Sequence, residues 1–81
     1  MFQIRNMSLK RDQDILLKLG KNLRQIRRIK NLSQEALADK AEIERSQISR
    51  IERGVQNPKI TTLILIANVL EVDVQSLLVS D

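Results

Sequence analysis

The residues best suited to chemistry in this sequence lie between positions 45 and 50. A short helix predicted there places Arg45, Ser46, Ser49 and Arg50 on one side, with Gln47 at its edge. Arginine can donate two parallel hydrogen bonds to guanine, glutamine can pair with adenine, and serine can bond to either base. The pattern favours contact with base edges in a DNA major groove. An ordinary solvated helix surface is the alternative.

Isoleucines hold the opposite side of this helix. Ile48 and Ile51 are predicted to face inward, and Ile43 fills the short turn that precedes the helix. In the helix before that turn, Ala38 and Ala41 are small where two helices must approach closely. Two short helices that cross steeply through a short turn form a helix-turn-helix. We therefore expect a helix-turn-helix whose second helix presents its polar side outward.

The whole chain predicts an all-α, compact five-helix domain, because residues that favour helix dominate the composition. The helices are predicted near residues 12–30, 34–41, 45–53, 61–70 and from about 73. Residues 1–11 lack a periodic pattern and are predicted to be a flexible N-terminal arm, which leaves residues 12–81 as the domain. Asp12 and Asp14 are expected at the positive end of the first helix dipole, Ser33 is expected to cap the second helix, and Asp73 the fifth.

Composition and charge narrow the function. The chain contains no cysteine or histidine, one aromatic residue and no long apolar run. Disulfides, the usual zinc sites and the commonest catalytic bases are therefore excluded, so we expect no metal, cofactor or enzymatic activity. We also expect no membrane association, a cytoplasmic location and no small-molecule ligand. Residues 1–31 carry nine basic and two acidic side chains, which weakly favours a polyanionic partner for this part of the chain.

The sequence resembles the phage repressor/Cro-type helix-turn-helix domains of the Xre group of transcription regulators. The resemblance is carried by "LRQIRRIKNLSQEALADKA", "ISRIERG" and "NPK" followed by "LILIANVLEVDVQSLL". The sequence is also similar to restriction–modification controller proteins and small phage repressors. The resemblance implies a lambda-repressor-like fold that binds double-stranded DNA as a homodimer, with the third helix in the major groove of a near-palindromic operator.

The resemblance also implies roles for particular residues. Gln34, Asn57 and Lys59 match positions that approach phosphate, and Arg27 with Glu52 matches a structural ion pair. The base-reading positions of the family correspond to the polar side of the third helix already described. The sequence departs from the family at two turns, where Glu42 and Glu71 replace a frequent glycine, and Lys59 replaces a small helix cap.

The fourth helix has more apolar residues than one core-facing side can use. Leu63, Ile66, Ala67 and Leu70 already form an inward stripe. An apolar surplus on a helix surface usually marks a site of contact with a partner. Combined with the family's habit of forming dimers, the surplus predicts a two-fold interface formed by Ile64, Leu65, Val69 and Leu78.

The leading hypothesis is therefore a homodimeric, sequence-specific DNA-binding regulator. An antitoxin-type regulator or a protein-interaction module with the same fold is the alternative. Operator sequence, activation versus repression, and the role of the N-terminal arm are left open by the sequence.

Overall fold

Five α-helices account for the regular structure of the residues that the structure describes. The computed structural model describes the backbone of residues 2–79 and the side chains of residues 11–79. The helices are α1 (Phe2–Ile29), α2 (Gln34–Ala41), α3 (Arg45–Glu52), α4 (Ile60–Leu70) and α5 (Gln75–Leu78). The prediction of an all-α domain with a helix-turn-helix at α2 and α3 is confirmed. Within the described residues, no helix is both long and apolar enough to cross a bilayer.

The beginning of the first helix differs from the prediction. Helix α1 starts at Phe2 rather than near Asp12. Residues 2–11 contain no proline or glycine, so nothing in the sequence stops the helix at Asp12. Asp12 and Asp14 therefore lie inside the helix and not in its first turn, and the expected interaction with the helix dipole is wrong. A separable arm over residues 1–11 stays a prediction, because side chains 1–10 lie outside the described set.

The other helix boundaries follow local capping. The hydroxyl of Ser33 accepts a hydrogen bond of 3.0 Å from the backbone N–H of Ala36, which confirms Ser33 as the cap of α2. Helix α5 begins after Val74 rather than at Asp73. The Asp73 carbonyl instead accepts the backbone N–H of Ser76 at 2.9 Å. The predicted cap at Asp73 is therefore wrong.

Four helices end in the same kind of turn. In each, one residue has a positive φ and the next backbone N–H returns to a carbonyl of the helix, as in a Schellman motif. The residues with positive φ are Asn31, Glu42, Gly54 and Glu71. Two glutamates thus occupy the left-handed conformation, which costs roughly 1–2 kcal/mol for a residue with a Cβ. The departures from the family at Glu42 and Glu71 leave the turns in place.

The hydrophobic core is formed by side chains from each of the five helices. Its fully buried side chains include Leu23, Leu37, Ile48, Ile66 and Leu77. Helix α1 packs on α3 and α5, whereas α2 packs on α3 and α4. Helix α3 is thus held by both α1 and α2. This arrangement fixes the orientation of α3, which carries the predicted base-reading side chains.

Candidate nucleic-acid interface

Helix α3 has a buried side and an exposed side. Ile48 and Ile51 are completely or almost completely shielded from solvent, whereas Arg45, Ser46 and Arg50 are exposed. The predicted reading positions therefore share an accessible surface. The remaining two predicted positions differ from these three, because Gln47 and Ser49 are half-buried at its borders. Arg45, Ser46 and Arg50 are thus the most exposed of the five predicted base-reading residues.

A buried ion pair fixes the inner edge of α3 to α1. The guanidinium of Arg27 donates from Nε to Glu52 Oε2 at 2.6 Å and from Nη2 to Glu52 Oε1 at 3.0 Å. These hydrogen bonds raise the pKa of Arg27, because they and the charge of Glu52 outweigh the opposite effect of burial. Nη1 of Arg27 also donates to the carbonyl of Leu32 at 2.8 Å. The structure pairs the two residues as the family resemblance implies.

Glu52 also connects α3 with the start of α2. Its Oε1 accepts a hydrogen bond of 3.0 Å from Nε2 of Gln34, and Nε of Arg24 lies 3.8 Å from the same oxygen. Three helices therefore converge on one carboxylate. The amide of Gln34, predicted to meet phosphate, is already oriented by Glu52 and has one N–H left for another acceptor. The sequence contains no local signal for this bond, because it joins residues 18 positions apart.

The loop between α3 and α4 lies beside the exposed side of α3. Nε of Arg50 donates to Oε1 of Gln56 at 3.0 Å. Asn57 and Lys59, both predicted to approach phosphate, are exposed in this loop, while Pro58 between them is buried. The loop thus presents polar side chains around a buried proline. Gln56 was not among the residues singled out from the sequence.

The predicted dimer surface is only partly available. Ile64, Leu65 and Leu78 are exposed, as predicted for residues that meet a partner. Val69 is half-buried and packs against the protein's own core. Val69 keeps partial exposure to solvent, so its role as an interface residue stays a prediction. Ile64, Leu65 and Leu78 are thus the most exposed of the four predicted interface residues.

Two residues of α1 bring neighbouring helices close to it. A Cβ at Gly20 would lie 2.5 Å from the backbone carbonyl oxygens of Ile51 and Glu52, so glycine allows α1 to approach the end of α3. Asn22 donates from Nδ2 to the carbonyls of Leu77 and Val79 at 3.0 and 2.9 Å, which ties α5 to α1. A glycine inside a strongly helical pattern is a signal for close packing; Asn22 carried no such signal.

Comparison with known proteins decides the family. Residues 23–77, from α1 to α5, match the family model described as helix-turn-helix. The chain belongs to this helix-turn-helix family. The control protein C.SmaI of Serratia marcescens is 42% identical over 65 residues, which span 80% of this chain and 77% of that protein.

Solved helix-turn-helix structures show the same fold. The restriction–modification controller protein C.AhdI of Aeromonas hydrophila is 35% identical, with a TM-score of 0.75 over 76% of this chain and 94% of its own. SinR, a master regulator for biofilm formation crystallised in complex with DNA, is 40% identical. Its TM-score is 0.72 over 75% of this chain and 98% of its own. The helix-turn-helix assignment thus agrees in sequence and in structure.

Proposed function

We propose that this helix-turn-helix protein is a sequence-specific transcriptional regulator that binds double-stranded DNA as a homodimer. The observation that carries the proposal is the exposed side of α3, where Arg45, Ser46 and Arg50 are accessible above a buried layer of isoleucine. Arginine forks and serine hydroxyls are suited to the donor and acceptor pattern of the major groove. Gln47 and Ser49 contribute from the borders of the same side.

Phosphate contacts would hold α3 in the groove. Asn57 and Lys59 lie exposed in the loop that follows α3, and the start of α2 offers unpaired backbone N–H groups together with a positive dipole end. Gln34 adds its second amide N–H there, because Glu52 engages the other donor of Nε2. Such contacts determine the orientation of a protein on the duplex, while base contacts determine the sequence.

A homodimer explains the apolar residues on the outside of α4 and α5. Ile64, Leu65 and Leu78 are exposed despite their apolar side chains. A two-fold interface at these residues would cover them and place two copies of α3 in successive major grooves, roughly 34 Å apart. The binding site would then be a near-palindrome. C.SmaI and C.AhdI, the control proteins that this chain resembles, favour a controller or small-repressor role over an antitoxin role.

Selection from random duplex DNA tests the proposal. The protein is expected to enrich an inverted repeat, and the binding constant is expected to fall steeply with salt because phosphate contacts release counterions. If the selected duplexes share no sequence motif at any salt concentration, the regulator proposal is overturned. Weak binding that does not respond to salt would support the protein-interaction module instead.

A further inference from the structure

Gln56 touches the one arginine of α3 that has a side-chain hydrogen bond among the described residues. The Nε of Arg50 donates to Oε1 of Gln56 at 3.0 Å. Arg50 is exposed, whereas Gln56 is half-buried in the loop between α3 and α4. The partly shielded side chain therefore restrains the exposed one. Arg45, at the other end of α3, has no comparable neighbour among residues 11–79.

The turn at the end of α3 explains why Gln56 reaches Arg50. Gly54 has a φ of 75°, a conformation that glycine adopts without strain. The chain consequently reverses, and the backbone N–H of Val55 donates to the carbonyl of Arg50 at 3.1 Å. Gln56 follows immediately and lies next to the last turn of α3. Pro58 is buried two residues later and anchors the other end of this short segment.

The hydrogen bond leaves a defined part of the guanidinium available. Arginine has five N–H donors in a planar fork, and Gln56 occupies the Nε donor. The edge formed by Nη1 and Nη2 is then the edge with both donors uncommitted. Two parallel donors of this kind match O6 and N7 of guanine.

We propose that Gln56 is a positioning residue that determines how Arg50 recognises guanine. By holding Nε, Gln56 presents Arg50 to the groove end-on, with Nη1 and Nη2 forward, before DNA arrives. Binding then requires less ordering of a long side chain, and only a base with two acceptors in line is matched. The inference rests on the proposed DNA-binding function and adds a specificity residue from outside α3.

A double-mutant cycle on purified protein tests this role. The duplex selected by the wild-type protein is first probed with Arg50→Ala, which identifies the base pair whose guanine preference depends on Arg50. Competition binding at that base pair is then measured for Gln56→Met, for Arg50→Ala and for the double variant. Methionine keeps the length of glutamine without a strong acceptor. Gln13→Met, an exposed substitution on α1, is the matched control.

Gln56→Met is expected to reduce the guanine preference at that base pair roughly three- to tenfold, the effect of ordering one long side chain only on binding. Preferences at other base pairs, and the Tm, should not change. In the Arg50→Ala background the same substitution should have no further effect, because Gln56 acts through Arg50. Gln56→Glu retains the acceptor and should keep the guanine preference, while its negative charge lowers affinity for every duplex.

Three results would overturn the inference. Unchanged guanine preference in Gln56→Met would show that Arg50 is positioned without Gln56. An additional loss in the Arg50→Ala background would show that Gln56 contacts DNA by itself. Loss of the preference in Gln56→Glu would show that an acceptor at this position is not what matters. A wild-type protein that selects no sequence would instead refute the proposed function, which is a distinct outcome of the first step.

Discussion

Helices α3 and α4 bury similar side chains but expose opposite chemistry. Each turns isoleucine or leucine towards the core, with Ile48 and Ile51 in α3 and Leu63 and Ile66 in α4. On the outside, α3 presents arginine and serine, whereas α4 presents Ile64 and Leu65. The two helices are therefore equivalent for folding and different for binding.

The difference shows that the exposed side of a helix, and not its buried side, indicates the kind of partner that it meets. An inner side has to satisfy packing, so both helices meet the same requirement with the same residue types. An outer side has no such requirement, and its composition reflects what it meets. A charged, hydrogen-bonding outer side suits a polyanion with exposed donors and acceptors, while an apolar outer side suits another apolar surface.

The buried side of α3 should contribute more to the stability of the protein than its exposed side. Glu52→Ala leaves the guanidinium of Arg27 buried without its charge partner, so we expect the free energy of unfolding to fall by about 3–5 kcal/mol. Urea denaturation followed by circular dichroism measures this change. Glu44→Ala, at an exposed position just before α3, is the control and should cost far less. Equal losses in the two variants would remove the distinction between inner and outer sides.

The outer side of α4 should matter for assembly and not for folding. Leu65→Glu would place two like charges opposite each other across a two-fold axis, which costs several kcal/mol in an interface. We expect a monomer in sedimentation experiments with an almost unchanged Tm. Leu17→Glu is the control, because Leu17 is 55% exposed on α1 and Leu65 is 41% exposed. A dimer that survives Leu65→Glu would discard the proposed interface.

The outer side of α3 should matter for DNA and not for folding. Arg50→Ala is expected to weaken binding to the selected duplex by about 1–3 kcal/mol and to relax the preference at one base pair. Stability should change by less than about 0.5 kcal/mol, as for other surface positions. Fluorescence anisotropy with labelled duplex measures the affinity.

Arg50→Lys separates charge from recognition in the same experiment. Lysine keeps the positive charge but lacks the planar fork, so the salt dependence should persist while the guanine preference falls. A variant that retains full preference would show that Arg50 acts as a charge alone. Arg45→Ala, at the other end of α3, is expected to affect a different base pair.

The turn between the two helices of the motif should give the smallest effect. Glu42 has a φ of 57°, so Glu42→Gly should relieve strain and raise the free energy of unfolding by roughly 0.5–1 kcal/mol after the entropy of glycine is subtracted. Glu42→Ala removes the same charge but keeps the Cβ and should bring no gain. Chemical denaturation of both variants measures the difference. A gain with alanine equal to that with glycine would assign the effect to charge.

Periodicity and capping predicted most of the fold. The leucine and isoleucine spacing indicated the buried sides of α3 and α4, and Ser33 indicated the start of α2. The beginning of α1 was missed because the composition of residues 2–11 permits helix without any apolar stripe to reveal it. Aspartate is a common N-cap residue, which is why Asp73 was predicted to cap α5. Residue type alone does not locate the first residue of a helix of only four residues.

The predicted site was incomplete for a different reason. Arg45, Ser46 and Arg50 could be identified because the isoleucines of the same helix define which side faces outward. Gln34 on Glu52 and Gln56 on Arg50 could not, since each bond depends on how two elements meet in space. The partial burial of Val69 could not be predicted from the helical stripe either, because a core also draws in residues at its margin.

The absence of a Cβ at Gly20 allows α1 and α3 to pack closely. At Gly20 the backbone of α1 lies so close to the last carbonyls of α3 that any side chain would force the two helices apart. We expect a substitution there to shift Arg45 and Arg50 together, because both belong to α3. The orientation of the proposed base-reading residues would thus depend on a residue of another helix.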